Sequence, residues 1–209
     1  MKNIIEEHYR KLYLKYGDDA GSAQYSSKDS QYLRFKYLAE IADLDKQTIL
    51  DYGCGTGAFY DYLLKIKKNP KKYIGIDIVD EFLIHCKKKF PKGVFVKPNE
   101  IDNYEYDFGF ASGIFNNIRD DNKEFWRKTI KKLFKRCKKG IAFNMMSEYV
   151  DYYDKDLYYE SPEEAFKFVK NEVTPYVNLR HNYIVKKNSV PFEFIIYAYR
   201  NPSEMELNL

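Results

Sequence analysis

Ile49-Leu-Asp-Tyr-Gly-Cys-Gly-Thr-Gly-Ala58 is the stretch on which the reading of this chain turns. Its first half reads as a buried strand, Thr48–Tyr52, and its second half as a loop with glycine at 53, 55 and 57 and Cys54 between the first two. Glycines at this spacing let the backbone turn sharply and let a ligand come close to the main chain. Asp51 ends the strand at the mouth of the loop, where a carboxylate attracts an ammonium group directly or through water.

Outward from this loop the pattern alternates. Further strands are expected at Tyr73–Asp77, Val94–Lys97, Asp107–Ala111 and Ile141–Met145, with helices between them at Phe59–Lys67, Glu81–Lys89 and Asn122–Cys137. The last helix carries Phe125, Trp126, Ile130, Leu133, Phe134 and Cys137 on one stripe. Another helix, Pro162–Lys170, opens with Ser161-Pro-Glu-Glu, which supplies a cap, a first-turn proline and acids at the positive end of the helix dipole. Two strand-like runs close the chain, Val177–Val185 and Phe192–Arg200, joined as a hairpin through Lys186–Ser189. Before the first strand, residues 1–16 and 29–42 have helical spacing and read as an N-terminal cover, with the loop Gly17–Ser22 between them.

Strands alternating with helices give a doubly wound α/β fold: a mostly parallel sheet covered on both faces. The closing hairpin makes it a seven-stranded sheet with an antiparallel element, where a plain dinucleotide fold ends in another βαβ unit. No repeat or low-complexity linker interrupts the chain, so residues 1–209 read as one domain, with 1–45 as helical cover and 46–209 as core.

Composition narrows the function classes. The chain is 44% hydrophobic, which places it among globular proteins, and its 21 Tyr and 15 Phe supply half-buried rings for core and cleft walls. With 35 basic and 31 acidic residues the net charge is only +4, and the lysine runs are interleaved with apolar helix positions. They read as solvated helix faces rather than as a nucleic-acid surface. Cys54, Cys86 and Cys137 show no CxxC spacing, so neither a disulfide framework nor a zinc site is expected. No apolar run approaches the ~20 residues of a membrane span, and a cytoplasmic location is the expectation.

The glycines of the first motif also satisfy G-x-G-x-x-A, the fingerprint of nicotinamide and flavin dinucleotide sites. A second anchor, Asp77, lies twenty residues beyond Gly57 at the end of the next strand, where a carboxylate takes both hydroxyls of a ribose. Both cofactor classes use such an acid, so the two anchors leave the choice open.

A resemblance separates them. Asp51-Tyr-Gly-Cys-Gly-Thr-Gly57 followed by Gly75-Ile-Asp77 resembles the first two motifs of class I, Rossmann-like S-adenosylmethionine-dependent methyltransferases. Tyr106–Asn116 resembles their fourth-strand motif and Lys139–Asn144 their fifth strand, so that the likeness spans about residues 29–200. It implies S-adenosylmethionine as cofactor. Asp51, Gly53, Cys54, Gly55 and Gly57 would hold its methionine half, Asp77 its ribose, and Ile78 its adenine. Asn99 stands where an Asp often contacts the adenine amino group, leaving Asn99, Glu100 or the Ile101 backbone for that contact. Ala111, Ser112 and Phe115 would line the cofactor near its sulfur.

Ser26–Phe35 is similar to an N-terminal feature of a small bacterial subgroup of these enzymes. Gln31 and Arg34 there share a helix face, with Arg34 directed at the cofactor carboxylate.

Methyl transfer asks mainly for alignment and exclusion of water, with a base where the acceptor must lose a proton. His181 is the candidate general base, and Asn144, Ser147 and Tyr149, which follow the fifth strand, are candidates for the acceptor site. The expected partner is a small-molecule acceptor, methylated on oxygen and sugar-related, with the enzyme a monomer or homodimer and neither membrane nor nucleic acid required. An RNA methyltransferase, a nicotinamide-dependent oxidoreductase and a non-catalytic S-adenosylmethionine-binding protein are the alternatives.

Overall fold

The computed structural model describes residues 2–206; Met1 and residues 207–209 lie outside it. Seven strands form one sheet in the order β3-β2-β1-β4-β5-β7-β6. They are β1 (Thr48–Tyr52), β2 (Lys72–Ile76), β3 (Val94–Val96), β4 (Tyr106–Ala111), β5 (Cys137–Met146), β6 (Val177–Arg180) and β7 (Glu193–Tyr199). β1 pairs in parallel with both β2 and β4, β2 with β3, and β4 with β5. β7 pairs antiparallel with β5 on one side and β6 on the other. The expected sheet, parallel with an antiparallel end, is what the chain forms.

Residues along each strand alternate between two cores, as a pleated sheet buried on both faces requires. Ile49, Tyr73, Phe95, Phe108 and Phe110 face one layer. It contains α2 (Lys28–Ala39), α3 (Ala58–Lys65) and α4 (Asp80–Lys89). Leu50, Ile74, Ile141 and Phe143 face the other, with α5 (Asn122–Arg136) and α6 (Pro162–Glu172). The α5 stripe is Trp126, Ile130, Leu133 and Phe134, all buried. α1 (Lys2–Tyr16) lies outside this frame against α4, with Tyr13 edge-on to Phe82 at 5.3 Å and Arg10 bonded to Glu81 at 2.6 Å. A short 3₁₀ turn, Ala20–Ala23, connects α1 to α2, whose first turn is capped by the Ser27 hydroxyl. Among the described residues no helix is long and apolar enough to cross a membrane.

Most boundaries shift by one to three residues, and two regions differ more. β5 starts at Cys137, four residues early, and α5 runs into it without a loop. Arg200 makes this possible: its guanidinium donates to Cys137 O at 3.0 Å, Lys135 O at 3.1 Å and also to Phe134 O, occupying carbonyls a helix end leaves orphaned. The closing strands are shorter than expected, and residues 181–192 form a long connection rather than a tight hairpin at Lys186–Ser189. Tyr183 and Val185 have strand-like character in sequence, yet they leave the sheet to pack on the first core layer, the Tyr183 ring 4.7 Å from that of Tyr37.

Gly140 shows how tightly β5 and β7 meet: a Cβ there would lie 2.8 Å from the Ala198 carbonyl oxygen, which belongs to the ladder and cannot swing away. Gly140→Ala is expected to destabilise the fold by about 1–3 kcal/mol, as overpacking does. Urea unfolding should show the lowered midpoint.

Candidate functional site

The end of β1 creates the site. Gly53 and Cys54 both donate their N–H groups to the Ile76 carbonyl, at 2.7 and 3.0 Å, so the loop is tied to the end of β2. Gly53, Gly55 and Gly57 have φ of +86°, +51° and +78°, the left-handed region that side chains disfavour. A Cβ on Gly53 would lie 2.2 Å from the Ile114 side chain. A Cβ on Gly55 would meet nothing within 4 Å, because that glycine faces open space.

The open space is a cavity of about 350 Å³ at the carboxyl ends of the strands, where ligands gather in open α/β sheets. Its floor is the glycine loop, and Asp51 and Asp77 stand at its base. Ile78, Phe82 and Pro98 form one wall, and Ser112, Gly113, Ile114, Asn117 and Arg119 the opposite one. Residues from the N-terminal cover close over it: Ile5, Tyr9, Tyr25, Gln31 and Phe35.

Both carboxylates are buried. Asp77 accepts from Gly55 N at 2.9 Å and from Val79 N at 3.0 Å. Burial raises its pKa, while those N–H groups pull it back. Asp51 accepts from the Tyr73 hydroxyl at 2.5 Å. Burial pushes its pKa up to about 7, against the stabilising Tyr73 bond and with a smaller upward push from Asp77. Two phenols reach in from the cover. Tyr9 OH accepts from Asn117 Nδ2 at 2.7 Å, and Tyr25 OH lies 3.3 Å from Ser112 Oγ. Burial raises the pKa of each, so both are protonated at neutral pH.

Of the residues singled out in sequence, the fold brings Gln31, Asp51, Gly53, Cys54, Gly55, Asp77, Ile78 and Ser112 to this cleft. Others are elsewhere. Gly57 lies behind the loop, packed on Phe90 and Cys86. Pro98, rather than Asn99, Glu100 or Ile101, reaches the wall. Asn99 is exposed, Glu100 turns back to accept from Lys97 N at 3.1 Å, and Ile101 is wholly buried in the second core. Ala111 and Phe115 are also core residues. Arg34 does not line the cleft, because its guanidinium is engaged by Glu193. Asn144 is fully buried beneath Gly113, and Ser147 is buried with its hydroxyl accepting from Tyr149 N. Tyr149 is exposed and bonded to Glu163, and His181 bonds the Pro191 carbonyl at 2.9 Å.

Sequence reasoning missed Tyr9, Tyr25, Asn117 and Arg119. Tyr9 was visible as part of an apolar helix stripe, but nothing local says which surface that stripe covers. Asn117 and Arg119 follow directly on the fourth-strand motif, a signal that was available.

A family model described as "Methyltransferase domain" matches residues 50–140. A Mycobacterium tuberculosis protein named "Putative methyltransferase Rv1506c" is 32% identical over 148 residues, covering 66% of this chain and 88% of that protein. The chain belongs to the class I S-adenosylmethionine-dependent methyltransferases. Solved structures share the fold of this methyltransferase. Magnesium protoporphyrin IX methyltransferase from Synechocystis PCC 6803, with bound S-adenosylhomocysteine, superposes with a TM-score of 0.69 at 12% identity over 96% of this chain and all of that one. An S-adenosylmethionine-dependent methyltransferase from Clostridium acetobutylicum gives 0.56 at 17% identity, over 94% and 98% of the two chains. The small RNA methyltransferase HEN1 gives 0.62 at 16%, over 82% of this chain and 25% of its own.

S-adenosylmethionine is the cofactor of this methyltransferase, and the cleft is suited to it. Gly55 leaves a cradle that any side chain would fill, buried carboxylates stand ready for ammonium and hydroxyl groups, and apolar walls suit a purine.

The raised Asp51 pKa carries a sign. Folding holds Asp51 protonated up to about pH 7, against an ordinary value of 3.8. Its contribution to stability is therefore complete below the ordinary value and is lost as pH rises through 7. Thermal unfolding without ligand should show a component that weakens from pH 5 to pH 8, and Asp51→Asn should remove that component.

Proposed function

We propose that this methyltransferase acts on a small, uncharged, hydroxyl-rich acceptor, a sugar-related metabolite methylated on oxygen. The observation that carries this is the character of the wall beside the glycine loop. Tyr9, Tyr25, Ser112 and Asn117 place neutral hydrogen-bonding groups there, and Arg119 is the one cation among the described residues lining the cleft. That cation is already paired with Asp121 at 2.9 Å. A polyanionic chain needs several free cations along its track. Neutral hydroxyls need donors and acceptors in fixed places, which this wall supplies.

The proposed roles follow from position. Gly53–Gly55, Asp51 and Gln31 hold the methionine half of the cofactor, Asp77 the ribose hydroxyls, and Ile78 and Pro98 the adenine. When bound, S-adenosylmethionine supplies an electrophilic methyl group on a sulfonium. The chain's own part is geometric: it orients the acceptor oxygen in line with that methyl group, so that the O–C bond forms as the S–C bond breaks, S-adenosylhomocysteine leaves, and the hydroxyl proton passes to solvent at the mouth of the cleft. Tyr9 and Tyr25, being protonated, act as hydrogen-bond donors to the acceptor and not as bases. His181 has no part in this scheme, since its ring bonds Pro191 away from the cleft. Residues 1–45 serve as the cover of a single catalytic domain spanning 1–209.

Gly55→Ala tests the cofactor assignment. The added methyl would project into the cleft without touching protein, at a backbone cost of about 1 kcal/mol. Calorimetry should show S-adenosylmethionine affinity falling at least tenfold while the protein remains folded; unchanged affinity would remove the glycine loop from the site. If Asp51 faces the cofactor ammonium, affinity should rise about tenfold from pH 6 to pH 8 as the carboxylate ionises, with proton release. Asp51→Asn should flatten that profile.

For the acceptor, S-adenosylhomocysteine formation should appear with uncharged sugars and be absent with transfer or total RNA at low salt. Turnover on RNA alone would replace this reading with the RNA methyltransferase one.

A further inference from the structure

Arg34, Glu193 and Asn144 form a chain of buried polar contacts that ends on the cleft wall. Arg34, on α2, grips the Glu193 carboxylate with Nε at 2.8 and 3.0 Å from its two oxygens and with Nη2 on the first of them. Its remaining terminal nitrogen bonds Ser30 O at 3.0 Å and Ser30 Oγ at 2.7 Å. Glu193, the first residue of β7, is 1% exposed. Its second oxygen accepts from Asn144 Nδ2 at 3.0 Å. Asn144, on β5 and wholly buried, turns its own oxygen to the Gly113 N–H at 2.9 Å.

Gly113 follows β4 and lines the cleft with φ of +73°. A Cβ at Gly113 would sit 2.7 Å from the Tyr25 hydroxyl. The circuit then closes, because the Arg34 guanidinium carbon lies 5.0 Å from the Tyr25 ring centre and Tyr25 touches Ser112. The cover helix, two strands and the wall of the cleft are thus joined in one ring of directional contacts.

Stability alone does not account for this arrangement. A buried ion pair contributes little net stability relative to apolar side chains of similar volume, because desolvating both charges offsets their attraction. What the charges do supply is direction. The guanidinium fork fixes the carboxylate, the carboxylate fixes which way the Asn144 amide points, and that amide presents an acceptor, not a donor, to Gly113. A reversed amide would set an N–H against the Gly113 N–H and push the loop away.

We propose that Arg34, Glu193 and Asn144 are positioning residues that set the Ser112–Ile114 backbone against Tyr25, so that the cleft is shaped for S-adenosylmethionine before the cofactor arrives. This rests on the reading of the cleft as the cofactor site. None of the three touches the ligand; they act through Gly113 and Tyr25.

The test compares folding with cofactor binding. The double variant Arg34→Met with Glu193→Leu removes the pair while filling its space, and Asn144→Val cuts the link while leaving the pair intact. Melting temperature without ligand, dissociation constants for S-adenosylmethionine and S-adenosylhomocysteine by calorimetry, and amide exchange over residues 110–118 are read for each. Folded variants are expected to bind both ligands at least tenfold more weakly and to exchange faster over 110–118. Arg34→Lys, which keeps the charge without the fork, should fall between these and the wild type. Folded variants with wild-type affinity and exchange would overturn the proposal and leave a purely structural ion pair. If the double variant does not fold, Asn144→Val and Arg34→Lys decide. A wild-type protein that binds neither ligand would instead overturn the assignment of the cleft itself.

Discussion

The Ile76 carbonyl accepts two N–H groups from the loop that leaves β1, and most of the site depends on that contact. It can exist because β1 lies at the centre of the parallel sheet, between β2 and β4, with its carboxyl end level with theirs. A parallel strand at the centre has no free edge, so a loop leaving it must turn within the width of its neighbours. Glycine is what allows the turn. At Gly53 a side chain would drive into Ile114 on the β4 side. The same tie brings Gly55 N within 2.9 Å of Asp77, so one backbone geometry serves both as a cradle and as a clamp on the carboxylate at its base.

That clamp explains how two carboxylates survive burial near one another. Asp77 is compensated by backbone N–H groups, and Asp51 by a single phenol, with about pH 7 as the result. The difference is electrostatic: an aligned backbone donor set favours the anion more than one hydroxyl does. Asp51 is accordingly the group whose charge responds most readily to a bound cation, and Asp77 the group suited to accepting hydroxyl hydrogen bonds.

What the sequence revealed and what it concealed follow from range. β1, the glycine loop, β2 and Asp77 were legible because each is a short apolar run ending in glycine or acid, information held within a few residues. The α5–β5 junction was not, because the residue that lets helix pass directly into strand, Arg200, lies more than sixty positions away. Tyr183 looked like strand and packs on Tyr37, a partner that only the tertiary fold supplies. The site divides along the same line. Its floor is local in sequence, and its cover, Tyr9 and Tyr25, is placed by the packing of α1 against α4 and of α2 against α3.

Arg34 illustrates the limit most clearly. Its helix position and its neighbour Gln31 both pointed to the cleft, and Gln31 does reach it. Arg34 is drawn instead to Glu193, which no spacing rule connects to it across 159 positions. A guanidinium that pairs with a buried carboxylate cannot also offer its full fork to a ligand, and that carboxylate, buried without Arg34, would lack its cationic partner. The pair therefore gives up direct contact with the ligand and gains control of an amide and a loop. Tyr9, Asn117 and Arg119 line the cleft without belonging to this internal frame, which separates the side chains that face the cavity from those that hold its wall in place.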